Sequence, residues 1–171
     1  MAGPSYNASS ALTVTNLHSL ASDQNFLAGW FSASTSNTTN KYLDYHYGGT
    51  FTTHASNRQA GYIYVYVVAS LNDTPTWPAT ATGTLGTEGT GSFVDTEERD
   101  SLCRLLVPPI AVDTSVSAIY TFPQTSICAA LGLIMPPTHH GLFITQNCAT
   151  TTAAGLASAG SAIYQTAIVS P

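Results

Sequence analysis

The sequence predicts an all-β chain, an antiparallel jelly-roll/β-sandwich of about eight short strands with at most one or two short helical turns. Its best strand is Gly61–Ser70, GYIYVYVVAS, where Tyr62, Tyr64 and Tyr66 alternate with Ile63, Val65 and Val67. Side chains alternate across a strand with period 2, so this run has two apolar or amphipathic faces and reads as a central, buried strand. β-Branched and aromatic residues dominate it and no polar stripe recurs at three or four, which disfavours a helix. Turn signals recur every 8–15 residues or so, without the long crossover helices that a parallel sheet needs.

In chain order, residues 1–10 are polar and read as an N-terminal arm, and residues 11–171 as a single β-sandwich domain. Leu12, Val14 and a turn at 16–22 lead to a strand at 26–31, whose Gly29 permits a bend or a close approach. Tyr42–His54 alternates again, with Gly48-Gly49 as a bulge, and is expected to pair with 61–70 as an antiparallel hairpin. Asn72-Asp73 and Pro75 and Pro78 end the central strand. Residues 79–91 form a Thr/Gly/Ala loop, and Asp95 followed by Glu98 starts a helical turn. A strand over 102–112 is broken at Pro108-Pro109, which assigns it to an edge or a bulge. Strands are expected at 117–122, 141–147 and 162–169, with one helical turn at 127–131.

Charge sets the limits on function. Only 8% of residues are charged, against about 25% in a typical soluble domain. Serine and threonine supply about a quarter of the chain instead. A surface this poor in charge points to one covered by partners or suited to life outside a cell. The formal charge of −5, with Lys41, Arg58, Arg99 and Arg104 as the fixed cations, offers no basic patch for nucleic acid. No apolar run is long enough to span a membrane, and the first residues, MAGPSYNASS, lack the pattern of a signal peptide. Cys103, Cys128 and Cys148 are widely spaced and odd in number, which predicts buried, reduced thiols.

The candidate chemistry is thin. His139-His140 would point to opposite faces of a strand, and no H-x-H spacing supports a metal, so a turn or intersubunit contact is the expectation. Glu97-Glu98 could supply carboxylates for glycoside hydrolysis, but neighbours in sequence rarely converge on one bond. There is no G-x-S-x-G, P-loop or G-x-G-x-x-G after a strand. No catalytic, cofactor-binding or metal residues are therefore assigned. The tyrosines of 42–47 and 62–66 read as a cross-strand aromatic ladder, with a carbohydrate-stacking face as the alternative.

Three segments carry a resemblance: Ala69–Pro78 (ASLNDTPTWP), Arg99–Leu105 (RDSLCRL) and Pro137–Asn147 (PTHHGLFITQN). In this order, over residues 42–171, the chain resembles small β-rich structural proteins of tailed-bacteriophage virions. The resemblance implies a virion protein made in the bacterial host cytoplasm, a capsid decoration or cement protein in the leading reading. Its partners would be the major capsid protein or other virion proteins, together with its own copies as a dimer or trimer. A tail- or fibre-associated receptor-binding module, with the tyrosines, Trp30 and Trp77 meeting host glycan, is the alternative; a small carbohydrate-active enzyme using Glu97 or Glu98 is a third. The candidate subunit contacts are Tyr6 in the arm, Thr84 and Leu85 in the 79–91 loop, and Pro136, His139 and His140 in the turn before residue 141.

Overall fold

Alternating strands bury one face most cheaply by facing a second sheet, and the computed structural model is built that way. It describes residues 3–72, 77, 88–150, 154–157 and 160–170. The first sheet contains β1 (Ser5–Tyr6), β2 (Ser10–Ala11), β5 (Asp44–Thr52), β10 (Ile119–Ser126) and β12 (Ala162–Val169). Its order is β1-β12-β5-β10, with β2 also on β12. The second contains β3 (Ala28–Phe31), β4 (Thr35–Ser36), β6 (Gly61–Ser70), β7 (Gly89–Ser92), β8 (Cys103–Leu105), β9 (Ile110–Val112) and β11 (His139–Gln146). Here the order is β7-β3-β11-β6-β8, with β4 also on β11 and β9 also on β6. Every pairing is antiparallel. The chain is an all-β sandwich.

The central strand β6 has the bounds the sequence predicts and is flanked on both sides, by β11 and by β8 and β9. Ile63, Val65 and Val67 are fully buried between the sheets, opposite Tyr45, Tyr47 and Phe51 of β5. Phe51 stacks on Phe122 with ring centroids 5.5 Å apart, and Trp30 closes the core, its indole N–H donating to Glu88 at 2.7 Å. Pro108-Pro109 separate β8 from β9 at the sheet edge, where missing amide donors cost no ladder bond.

Three expectations need correction. The 42–54/61–70 hairpin does not form, because β5 and β6 belong to different sheets. Both strands carry a large apolar face, and pairing them edge to edge would leave those faces side by side rather than against each other. The link 53–60 instead crosses the sandwich, its His54 Nδ1 accepting from the Ser56 and Asn57 amides at 3.1 Å. The described part of the arm, residues 3–10, joins a sheet, since β1 and the start of β2 add on to β12. The end of the 79–91 loop is a strand, β7, zipped to β3 through Ala28–Ser92 and Phe31–Gly89 pairing. These additions are two to four residues long, too short for alternation to be visible, and they lift the strand count among the described residues to twelve.

Both helical turns are where the sequence puts them. Helix α1 (Thr96–Leu102) starts at Asp95, whose carboxylate accepts from the Glu98 amide at 2.7 Å while Glu98 accepts from the Val94 amide at 2.7 Å. Helix α2 (Ile127–Leu131) is capped by Ser126 and closed by Gly132, which takes φ 67°, a left-handed value that glycine adopts without strain.

Candidate binding surfaces

A two-layer sandwich has two outer faces, and this chain treats them differently. The outer face of the second sheet is covered by the chain itself. Phe31, Tyr66, Val68, Cys103 and Phe143 form a second apolar cluster there, roofed by Phe93 and flanked by Leu102 of α1 and by Trp77. Phe143 touches three rings, with centroids 4.7 Å from Phe31, 4.9 Å from Phe93 and 5.9 Å from Tyr66. The roof stops short of the start of β6, leaving Tyr62 47% exposed and Tyr64 half-buried.

The outer face of the first sheet is bare. Its strands contain no Lys or Arg and a single carboxylate, Asp44. Register puts Thr50 opposite Thr121, Tyr164 opposite Gly48, Thr166 opposite His46 and Tyr6 opposite Ile168 on this face. Tyr6 is 61% exposed, Ile119 65% and Tyr164 49%. Because Gly48 has no side chain, the middle of the face holds a shallow hollow of about 130 Å³, rimmed by Ser9, His46, Gln124, Tyr164 and Thr166.

At one end of that face Ser, His and Asp come together, yet not in the order that nucleophilic catalysis needs. Asp44 sits in the middle: its Oδ2 accepts from Ser126 Oγ at 2.5 Å and lies 3.1 Å from His46 Nε2. The Ser126 Oγ also accepts from the Ala129 amide at 2.9 Å as the cap of α2. No imidazole reaches the hydroxyl to act as a base; the group fastens α2 to β5. Burial alone would raise the Asp44 pKa, but hydrogen bonds from Ser126, Cys128 and Tyr45 outweigh it and hold the carboxyl below its ordinary value.

Of the residues singled out in the sequence, Tyr6 lies on the bare face with its ring edge-on to His46 at 5.5 Å. Thr84 and Leu85 lie outside the described residues. Pro136 and His139 are half-buried. His140 is corrected: it is completely buried, its ring 4.5 Å from that of Tyr45 and 5.8 Å from that of Tyr47, and it contributes nothing to the outer surface. Neither ring nitrogen has a hydrogen-bond partner among the described residues, and burial, aided by neighbouring His139, pushes its pKa down to about 3. Strand alternation does separate the two histidines as expected; what sequence could not supply was which face turns inward.

Trp30 is buried and unavailable to any ligand, Tyr45 and Tyr47 are core residues, and the cross-strand tyrosine ladder is replaced by one along β6. Glu97 and Glu98 do not converge: Glu98 caps α1, and Glu97 accepts from the Thr96 hydroxyl. The three cysteines are free and buried, and burial raises their thiol pKa values, to about 12 for Cys103 and Cys128 and about 11 for Cys148. Among the described residues no cluster of His, Cys, Asp or Glu could hold a metal ion. Sequence reasoning missed Leu133, Ile134 and Met135, an apolar tip between Gly132 and Pro136 in which Ile134 is 97% exposed. A run of aliphatic residues between a helix stop and a proline pair was the available signal. Comparison with family models, with curated proteins and with solved structures found no match.

Proposed function

We propose that this chain is a structural protein of a bacteriophage virion, a decoration protein that binds the capsid shell through the outer face of the first sheet. The observation that carries the reading is that face: hydroxyl-rich, studded with Tyr6, Tyr164 and Ile119, and without a lysine or arginine in any of its strands. A solvent-facing sheet normally carries charge to stay dispersed and to discourage association. One that carries almost none suits a permanent partner. The resemblance of segments 69–78, 99–105 and 137–147 to tailed-phage structural proteins supports a virion partner, and the major capsid protein is the one proposed.

A decoration protein stabilises a shell by mass action, binding the assembled lattice better than loose subunits. Contacts built from hydroxyls, backbone and small apolar groups depend little on ionic strength. Closed cyclic assembly with its own copies, as a dimer or trimer, is expected around a symmetric lattice site, and the exposed Leu133-Ile134-Met135 tip is the apolar contact available for it. The test compares particles with and without the protein for resistance to heat and osmotic shock. Reduced resistance without it supports the proposal. Equal resistance combined with failure to adsorb to cells overturns it in favour of a receptor-binding module.

A further inference from the structure

We propose that the exposed end of the tyrosine ladder on β6 is a glycan-binding groove. Tyr62, Tyr64 and Tyr66 occupy successive outward positions of one rigid strand, with ring centroids 6.3 and 6.0 Å apart. The Tyr64 and Tyr66 rings are within 11° of parallel. Tyr66 is fixed from behind by Phe143, and the Arg99 guanidinium carbon lies 5.4 Å from its ring centre. Phe26 packs on Tyr64 at 4.6 Å, so the ladder is held in place at its inner end and open at its outer end. Alongside runs a hollow of about 390 Å³, lined by Tyr64, Tyr66, Arg99, Asp100, Arg104 and Leu105.

The chemistry of this groove suits a sugar. A pyranose ring presents a face of C–H groups that packs on an aromatic ring, and an equatorial fringe of hydroxyls that needs directional polar partners. The tyrosines supply the aromatic surface at low entropic cost, since each fixes only two side-chain torsions. The hydroxyls of Tyr62 and Tyr64 make no hydrogen bond to another described residue, so both remain to pair with a ligand. Arg104 uses only Nη1 within the described residues, donating to the Asp100 and Cys103 carbonyls, which leaves Nε and Nη2 for sugar oxygens. Asp100, whose side chain is 61% exposed and pinned by Arg99 at 2.8 Å, adds a carboxylate acceptor. In a chain with four fixed cations, two stand beside this ladder. Of the exposed aliphatic residues among those described, Leu105 alone lines this hollow; Leu71, Val94, Val116, Ile119 and the Leu133-Ile134-Met135 tip do not.

A groove of this kind works wherever the chain resides, so its failure and the failure of the virion reading are separable. The full chain, labelled for NMR, is titrated with cellohexaose, chitohexaose, maltohexaose and an oligogalacturonate. The expected result is a saturable shift with at least one sugar, centred on β6 residues 62–66 and on Arg104. Tyr62→Ala should weaken that binding at least about tenfold, Tyr62→Trp should retain it, and Tyr164→Ala on the opposite sheet should leave it unchanged. Because Tyr62 is half-exposed, its alanine variant should melt like the parent, which separates lost binding from lost fold. No saturable shift with any of the four sugars, or undiminished binding by Tyr62→Ala, overturns the proposal.

Discussion

The two outer faces of this sandwich start from the same kind of strand and end in opposite conditions. On the second sheet, outward aromatic residues of β3, β6 and β11 are roofed by Phe93 and α1, and charges gather on that roof: Glu97, Glu98, Arg99 and Asp100 all belong to α1. On the first sheet none of the described segments returns to cover the strands, and the residues left outside include threonines, tyrosines, isoleucines and a glycine hollow. A covered face stabilises the monomer, while a bare and nearly uncharged one lowers the cost of desolvation for a partner. Under the proposed function the first sheet is the docking face, while most of the outer face of the second sheet serves folding.

Substitutions that compare the faces should differ most at Phe143 and Tyr164. Phe143→Ala removes a fully buried ring that touches Phe31, Phe93 and Tyr66, and is expected to cost about 3–5 kcal/mol in urea unfolding. Tyr164→Ala, on a half-exposed side chain of the bare face, should cost the isolated chain under about 1 kcal/mol. Equal losses would mean that both faces serve the fold.

The next effect separates the interior from both faces through pH. The pKa of His140 falls to about 3 in the folded chain, so the unfolded chain binds the extra proton first. Its contribution to stability is complete above about pH 6.5 and is lost as pH falls toward 3, by on the order of 2–3 kcal/mol between pH 6.5 and 4.5. Asp23 and Asp44, both held below their ordinary values, act in the same direction at lower pH, below the usual carboxylate range. His140→Phe keeps a ring against Tyr45 and Tyr47 and should flatten the slope of stability between pH 4.5 and 6.5. An unchanged slope would show that His140 is not the group responsible.

A smaller effect tests the roof alone. Asp95→Ala removes the cap of α1 and should cost about 1 kcal/mol, while leaving binding at the bare face untouched. Smallest of all, thiol reagents should label native Cys103, Cys128 and Cys148 slowly, since burial keeps all three protonated, and mass spectrometry should find no disulfide.

What could be read from the sequence was local. Alternation placed β6 to the residue, the Asp95–Glu98 spacing marked α1, and Pro108-Pro109 pointed to an edge or a bulge, of which the edge is found. Partner choice was not local: β5 and β6 pair with β10, β12 and β11, strands that lie far along the chain, and period 2 does not encode which sheet a strand joins. The same limit explains the binding surfaces. Tyr62 and Tyr66 are equivalent in the pattern, yet one is half-exposed and the other roofed by a helix from residues 96–102. His140 looked like a surface turn residue because its neighbours are prolines, threonine and glycine; the β11 register turned it inward.

Docking of capsid by the bare face is tested most directly by placing one charge on each face and measuring occupancy of particles that lack the protein. Thr121→Glu adds a carboxylate beside Thr50 on the first sheet, and Tyr62→Glu adds one on the second. The account predicts that Thr121→Glu lowers particle affinity at least about tenfold, that Tyr62→Glu binds like the parent, and that parent binding changes little between low and high salt. Undiminished binding by Thr121→Glu, or loss of binding by Tyr62→Glu alone, would contradict it.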